Sequence, residues 1–488
     1  MLPPLPILSD YGISPQYGFL PSELPLERLP DPYYHKWEAI VANLQGLILS
    51  RRLRGVIERL PVLSTIGLEH DAEWRRAYML LAFMAHSYIW GGNKPAERVP
   101  SSISIPFLHI SVHLEVPPVA TYAAVCLWNF KPLFIDEHVD NFENLSTLTT
   151  FTGSLDESWF YLTSVAIEAR GAPILPLMLA AMAAARRNDA ATVISCLRTF
   201  AERLDDLGVL LERIHENCDP HVFYHHIRPF LAGSKNMAEA GLPNGVIYDD
   251  GTGIDKYTHY SGGSNAQSSL IQFFDIILGV QHRPTGHTKD QASQKGLEGT
   301  APPPKHNFLH EMRNYMPGPH RRFLEDVTRC ANIRDFVESR TENHELSLAY
   351  DACLAMLRCF RDKHINVVSR YVVIKSREAS ARSRAEGTQF KLNIATSSQQ
   401  DPYGADKKIL KGTGGTSLIP FLKQARDETS EPSLEPWTKK ILSKENKSSG
   451  KGEFFLGKTD DWAIGNLEAH GVVGTWPEEI GGGGLCHY

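Results

Sequence analysis

Apolar residues recur every three or four positions along most of this chain, the period of helices with one buried face. The clearest case is 342–374, which contains no glycine or proline and sets Tyr350, Cys353, Leu354, Leu357, Phe360, Val367, Val368 and Tyr371 on one stripe. As a single rod it would run roughly 50 Å at about 1.5 Å per residue. The same spacing predicts helices over 37–60, 69–90 and 119–129, and then over 156–170, 173–187, 189–217, 219–232, 264–281 and 318–340. SSISIPFLHISVHLEVP (101–117) is β-branched and partly alternating, which predicts a short strand or extended stretch. Its histidine pair, His109 and His113, would bind metal from one face of a helix, but in such β-like surroundings it reads as incidental.

No alternation of strands with helices, no G-x-G-x-x-G and no Walker loop occur, so the expected fold class is all-α (mainly helical). At 488 residues the chain exceeds one compact core. The expected division is a smaller helix-rich N-terminal domain with minor β over 1–150 and a larger all-helical domain over 151–427. The proline-rich first 30 residues predict an extended arm over the surface. Two stretches, 283–307 and 378–411, hold too few large apolar residues to offset the entropy of ordering and are expected to be mobile loops. The tail, 428–488, lacks periodicity and is expected to be disordered.

Composition narrows the function classes. The apolar content of 42% and mean hydropathy of −0.25 are those of a globular protein. The net charge of −6, with no basic run interleaved with aromatics, argues against a nucleic-acid partner. Seven scattered cysteines without a C-x-x-C pair suit a reducing compartment and offer no structural zinc site. The opening residues carry no base before Arg28, unlike a secretory or transit segment, and the most apolar run, 171–185, is short for a membrane span. A cytoplasmic location without a membrane partner is therefore expected.

His364 interrupts the apolar stripe of the long helix. A core histidine bonded to a carbonyl is the commoner outcome of such a pattern. The alternative is an axial ligand, because a neutral imidazole on an apolar face offers one nitrogen to a haem iron while the other donates a hydrogen bond. Asp275, inside the apolar run LIQFFDIILG, needs a cation or hydrogen bonds to offset its burial. Arg361 lies one helical turn before His364 and so on the same side.

Five blocks in order, YGFLP (17–21), SGGSNAQSSLIQFFDIILGVQ (261–281), FLHEMRNYMPGPHRRFL (308–324), YDACLAMLRCFRDKHINVVSRYV (350–372) and KGTGGTSLIPFLK (411–423), resemble the indoleamine 2,3-dioxygenase family. The resemblance covers roughly 10–427. It implies one haem b per chain ligated by His364, with Asp275 and Arg361 stabilising the proximal side and Gly263 and Ser264 contacting a haem propionate. It places Tyr122, Phe160, Phe223, Tyr224 and Arg228 at the substrate pocket, with Arg228 holding the substrate carboxylate. Thr413 would close over the amino-acid end, and Ser164 would stand on the distal side, where globins and peroxidases keep a histidine. The implied reaction inserts O2 across the indole C2–C3 bond of L-tryptophan to give N-formylkynurenine, the first step of the kynurenine route towards NAD. No acid or base residue is assigned to it, because the cofactor carries the chemistry. A monomer supplied by an external one-electron reductant is expected. Two departures from the family pattern border the pocket: Asn265 replaces a small apolar residue, and AAVC follows Tyr122. The competing readings are a haem-binding sensor of the same fold with little or no turnover, and a helical interaction protein without haem.

Overall fold

The structure is a computed structural model that describes residues 3–286, 308–386, 398–399, 409–410, 412–413 and 417–434. Several of its helices begin where short polar side chains accept from free backbone N–H groups. Ser154 accepts from Glu157 at 3.2 Å, Asp189 from Thr192 at 3.1 Å and Asn343 from Leu346 at 3.1 Å. These caps start α3 (Leu155–Gly171), α5 (Ala190–Glu212) and α8 (His344–Val368). α1 (Asp71–Trp90) and α2 (Ser101–Leu114) precede them in the chain, α4 (Ile174–Arg186), α6 (Ser269–Leu278) and α7 (Gly318–Cys330) lie between them, and α9 (Leu418–Thr429) follows α8. The fold is all-α, as the periodicity predicts.

The long rod is the axis of the helical part. α8 packs along α5, which packs on α4, and α9 also packs against α8. Leu346, Tyr350, Cys353, Leu354 and Leu357 of α8 are completely buried, each large apolar side chain worth roughly 1.5–3 kcal/mol of removal from water. Tyr350 donates to the Leu278 carbonyl at 2.5 Å, so the end of α6 is tied to the rod. α6 stops at Gly279, whose φ of +65° only glycine adopts without strain. Strand content is small: Arg98–Val99 pairs parallel with Val246–Tyr248, which pairs antiparallel with Tyr257–Thr258, and Phe130–Pro132 pairs antiparallel with Leu145–Thr147. Buried residues on both sides of residue 150 belong to one continuous apolar core.

Several expectations are corrected. The 101–117 stretch forms helix α2, with Pro106 inside it. Ile103, Phe107 and Ile110 already sit at helical spacing and point inward, so the apparent alternation is incidental. His109 and His113 thus share a helix, but Thr65 hydrogen-bonds His109 while His113 stacks on Trp74 at 3.8 Å between ring centroids. The opening segment is no surface arm, since Leu8, Ile13, Phe19, Leu20 and Leu29 enter the core. The 37–60 helix is three pieces, His35–Ala42, Leu44–Leu49 and Leu53–Glu58, with Arg51 at φ +59° between the last two. The supposed loop at 378–411 begins as helix Lys375–Glu386, and the supposed tail is folded as far as 434, where Ser433 and Leu434 donate to Asp351. The insert at 287–307 and residues 435–488 lie outside the described residues.

Candidate active site

Proline shapes the first wall of the site. Pro229 has no N–H to offer the carbonyl four residues back, and ahead of it the helix widens into a π-turn over Phe223–Ile227. A second π-turn, Ala123–Leu127, follows Tyr122 where the AAVC departure falls, and a third, Ser369–Ile374, continues α8. The extra residue per turn re-aims the side chains that follow. All three π-turns flank one cavity, which holds about 1820 Å³ of space free of protein atoms, part of it open to solvent.

Tyr122, Phe160, Ser164, Phe223, Arg228, Gly263, Ser264, Arg361, His364 and Thr413 all line this cavity. Tyr224 and Asp275 do not. Tyr224 is fully buried behind the wall with the Arg228 guanidinium 5.6 Å from its ring, and Asp275 lies behind Arg361. Phe160 and Phe223 pack with ring centroids 4.8 Å apart, and Phe223 meets Tyr371 edge-on at 5.6 Å. The His364 ring makes no hydrogen bond to any described residue, and burial pushes its pKa down to about 4, so it faces the cavity as a neutral imidazole.

Behind the imidazole the charges are dense. Nη2 of Arg361 donates to both oxygens of Asp275 at 2.7 Å, and Nη1 reaches Thr429 on α9. Burial works against the Asp275 carboxylate, but the positive charges of Arg361 and His282 hold its pKa below the usual range.

The opposite wall is a Gly-Ser turn held in place by backbone contacts too close for side chains. A Cβ on Gly262 would fall 2.0 Å from the Leu231 carbonyl, and one on Gly263 3.0 Å from that of Ala120. Gln267 closes the turn, accepting from the Tyr122 N–H and donating to the Gly262 carbonyl, both at 2.8 Å. Thr413 donates to the Gly263 carbonyl at 2.7 Å, and its own carbonyl accepts from Gly262 at 3.2 Å. His86 supports the same region by bridging the Phe230 carbonyl at 2.7 Å and the Ala120 N–H at 2.9 Å.

Glu168, one turn beyond Ser164, was not singled out by the sequence. Its Oε1 accepts from Tyr122 at 3.0 Å and Ser268 at 2.6 Å, while its Oε2 has no partner among the described residues. Burial pushes its pKa up to about 7. A carboxyl more basic when folded contributes stability that is fully present below its unfolded pKa and lost as pH rises towards 7. We expect Glu168→Gln to remove that component. Relative to wild type, the unfolding free energy of the variant from urea titration should fall less between pH 5 and pH 7.5, by about 2 kcal/mol. Parallel free energies in the two proteins would contradict it.

The residues present fit a haem. A macrocycle needs a broad apolar slot, one unengaged neutral imidazole for its iron, and free backbone N–H groups for its anionic edge. The cavity supplies each of these. A family model described as indoleamine 2,3-dioxygenase matches residues 7–432. An indoleamine 2,3-dioxygenase of Saccharomyces cerevisiae is 42% identical over 438 residues, covering 87% of this chain and 93% of its own. The indoleamine 2,3-dioxygenase qulI of Penicillium citrinum is 40% identical over 429 residues, with 86% and 88% covered. A 6-hydroxytryptophan 2,3-dioxygenase, fscD of Fusarium equiseti, is 37% identical over 429 residues, with 87% and 97% covered. A match this long, converging on one cavity with its imidazole, its guanidinium and its glycine turn, places the chain in the indoleamine 2,3-dioxygenase family.

Proposed function

We propose that this protein is a haem-dependent dioxygenase that converts L-tryptophan, or a closely related indoleamine, to the N-formylkynurenine-type product. The observation that carries the reading is the convergence of His364, Arg228, the Phe160–Phe223 wall and the Gly263–Thr413 turn on one cavity. His364 would hold the haem iron, and Gly263 and Ser264 the propionate edge. Bound haem supplies the ferrous iron that activates O2, and the protein's own part is to bind, orient and keep out water.

The flat indole suits the Phe160–Phe223 pair, and the carboxylate suits the guanidinium of Arg228, which the wall keeps 4% exposed and therefore poorly screened. Thr413 and the glycine turn flank the amino end. Ser164 offers a hydroxyl, not a base, and no cavity-lining residue is needed to take a proton from the indole before oxygen enters. The route towards NAD, the cytoplasmic site of action and the one-electron reductant belong to the same reading. Incubation of the purified protein with haem, ascorbate, methylene blue and saturating L-tryptophan tests it. A Soret band with accumulating N-formylkynurenine is the expected result; a Soret band without product would favour a sensor of the same fold.

Asp275 bears on cofactor retention. Asp275→Ala leaves the partly buried Arg361 without its carboxylate and the proximal side without a charge that offsets it. Outer-shell partners of a metal ligand typically cost ~10–100-fold in affinity when removed, and haem dissociation into excess apomyoglobin should accelerate by about that factor. Equal dissociation rates in the two proteins would remove Asp275 from the proximal assignment.

A further inference from the structure

His282 occupies an uncommon setting for an imidazole. Its Nδ1 lies 2.7 Å from Oε2 of Glu428, and its Nε2 lies 3.1 Å from Oδ2 of Asp275. The three side chains are 9%, 2% and 8% exposed. A neutral ring has one N–H, and ionised carboxylates only accept, so a neutral His282 would leave one nitrogen lone pair against a carboxylate. The imidazolium satisfies both contacts.

The surrounding charges agree. Asp275 comes from α6, Arg361 from α8 and Glu428 from α9, with Arg283 next along the chain. Oε1 of Glu428 accepts from the Arg283 N–H at 3.1 Å and from Gln424 at 2.8 Å, while the Arg283 guanidinium is committed to Glu431 beyond it. Burial disfavours the charged ring, but the Asp275 carboxylate and then the Glu428 hydrogen bond outweigh it and hold the proton on His282 above the ordinary histidine range.

What this contact fastens is a wall of the active-site cavity. Leu418, Phe421, Leu422 and Ala425 of α9 line it, and Glu428 stands one turn beyond Gln424 at the end of the same helix. Other anchors keep α9 docked: Arg358 donates to Ser430 at 2.9 Å, and Arg426 to Asp362 at 3.0 Å. They hold the helix against α8, whereas two side chains among the described residues join its last turn to Asp275 of α6: Arg361, which also donates to Thr429, and His282, which holds Glu428. We propose that His282 is a positioning residue that fastens the end of α9 to Asp275 and so sets how closely the α9 wall approaches the substrate. This rests on the dioxygenase reading for the identity of the substrate, but not for the fastening itself.

The sign of its pH dependence follows. A histidine whose pKa is raised on folding contributes fully below about 6.5, its unfolded value, and loses that contribution as pH rises through the folded value. Amide hydrogen exchange of 418–429, expressed as protection factors at pH 6 and pH 8.5, should fall with pH in wild-type holoprotein. In His282→Gln it should already be low at pH 6 and nearly independent of pH. In the same variant KM for L-tryptophan should rise about threefold to tenfold at pH 6, with kcat within about twofold and the ferrous carbon-monoxide spectrum unchanged. Glu428→Gln, which keeps the imidazole and removes one carboxylate, should behave likewise and serves if His282→Gln does not fold. Wild-type protection in both variants, a pH effect that persists without His282, or lost protection with KM unchanged would each overturn the proposal. A wild-type protein that made no product would defeat the dioxygenase reading while the exchange measurements still decided the fastening.

Discussion

Arg228→Ala is expected to lower kcat/KM for L-tryptophan by about 30-fold to 1,000-fold while haem content stays at the wild-type level. The guanidinium lies in the wall of the cavity, 4% exposed, one helical turn after Tyr224. Burial lowers its pKa, yet an arginine remains charged, so the site holds a poorly hydrated cation suited to a carboxylate. Removing one side of such a charge-assisted contact costs about 2–4 kcal/mol, which is the stated range of rates. The desolvated cation–π contact with Tyr224 is worth about 2 kcal/mol and acts on the wall, not on the iron, so the carboxylate term is separated from it by a substrate without a carboxylate. Tryptamine, which has the indole but no carboxylate, should be a poor substrate for both proteins and nearly indifferent to the change. Proportional loss with tryptamine would show that Arg228 acts through the wall and not as the carboxylate clamp.

His364→Ala should give a folded protein that retains almost no haem and makes no product above background. The imidazole is the cavity-lining nitrogen base of α8, and it holds no described residue in place, so its removal leaves the packing of α8 on α5 intact. Since loss of an outer-shell partner already costs ~10–100-fold, loss of the ligand itself should weaken haem binding by more than about 100-fold. Far-ultraviolet circular dichroism should match the wild type while the Soret absorbance per chain collapses. Added imidazole should restore part of it by entering the space the ring vacates. Normal haem occupancy with an unchanged ferrous spectrum would assign the iron to another residue.

The sequence by itself determined the parts that rest on local periodicity. The apolar stripe of 342–374 predicts the rod that becomes α8, and the break in that stripe marks His364. Asp275 in an apolar run signals a buried carboxylate in need of a cation, and Arg361 provides it. These inferences succeed because an apolar face and a buried charge make demands that no distant residue can cancel, only meet.

Other features were decided by tertiary structure. Ile103, Phe107 and Ile110 fit either a helix face or an uneven strand, and only burial against the rest of the core selects α2. The π-turns at Ala123–Leu127 and Phe223–Ile227 add one residue to a turn, too small a change in apolar period to read from sequence, though Pro229 is in retrospect a cue. Gln267 with Tyr122, Glu168 with Ser268, and His282 with Glu428 join residues 145, 100 and 146 positions apart. Glu, Gln and His in such sequence settings read as solvated surface until the chain folds, because what a polar side chain does depends on which partner the fold delivers and how much water it removes. The periodicity of the chain selects the helices, and the closing of the core around their polar residues decides which of them work at the site.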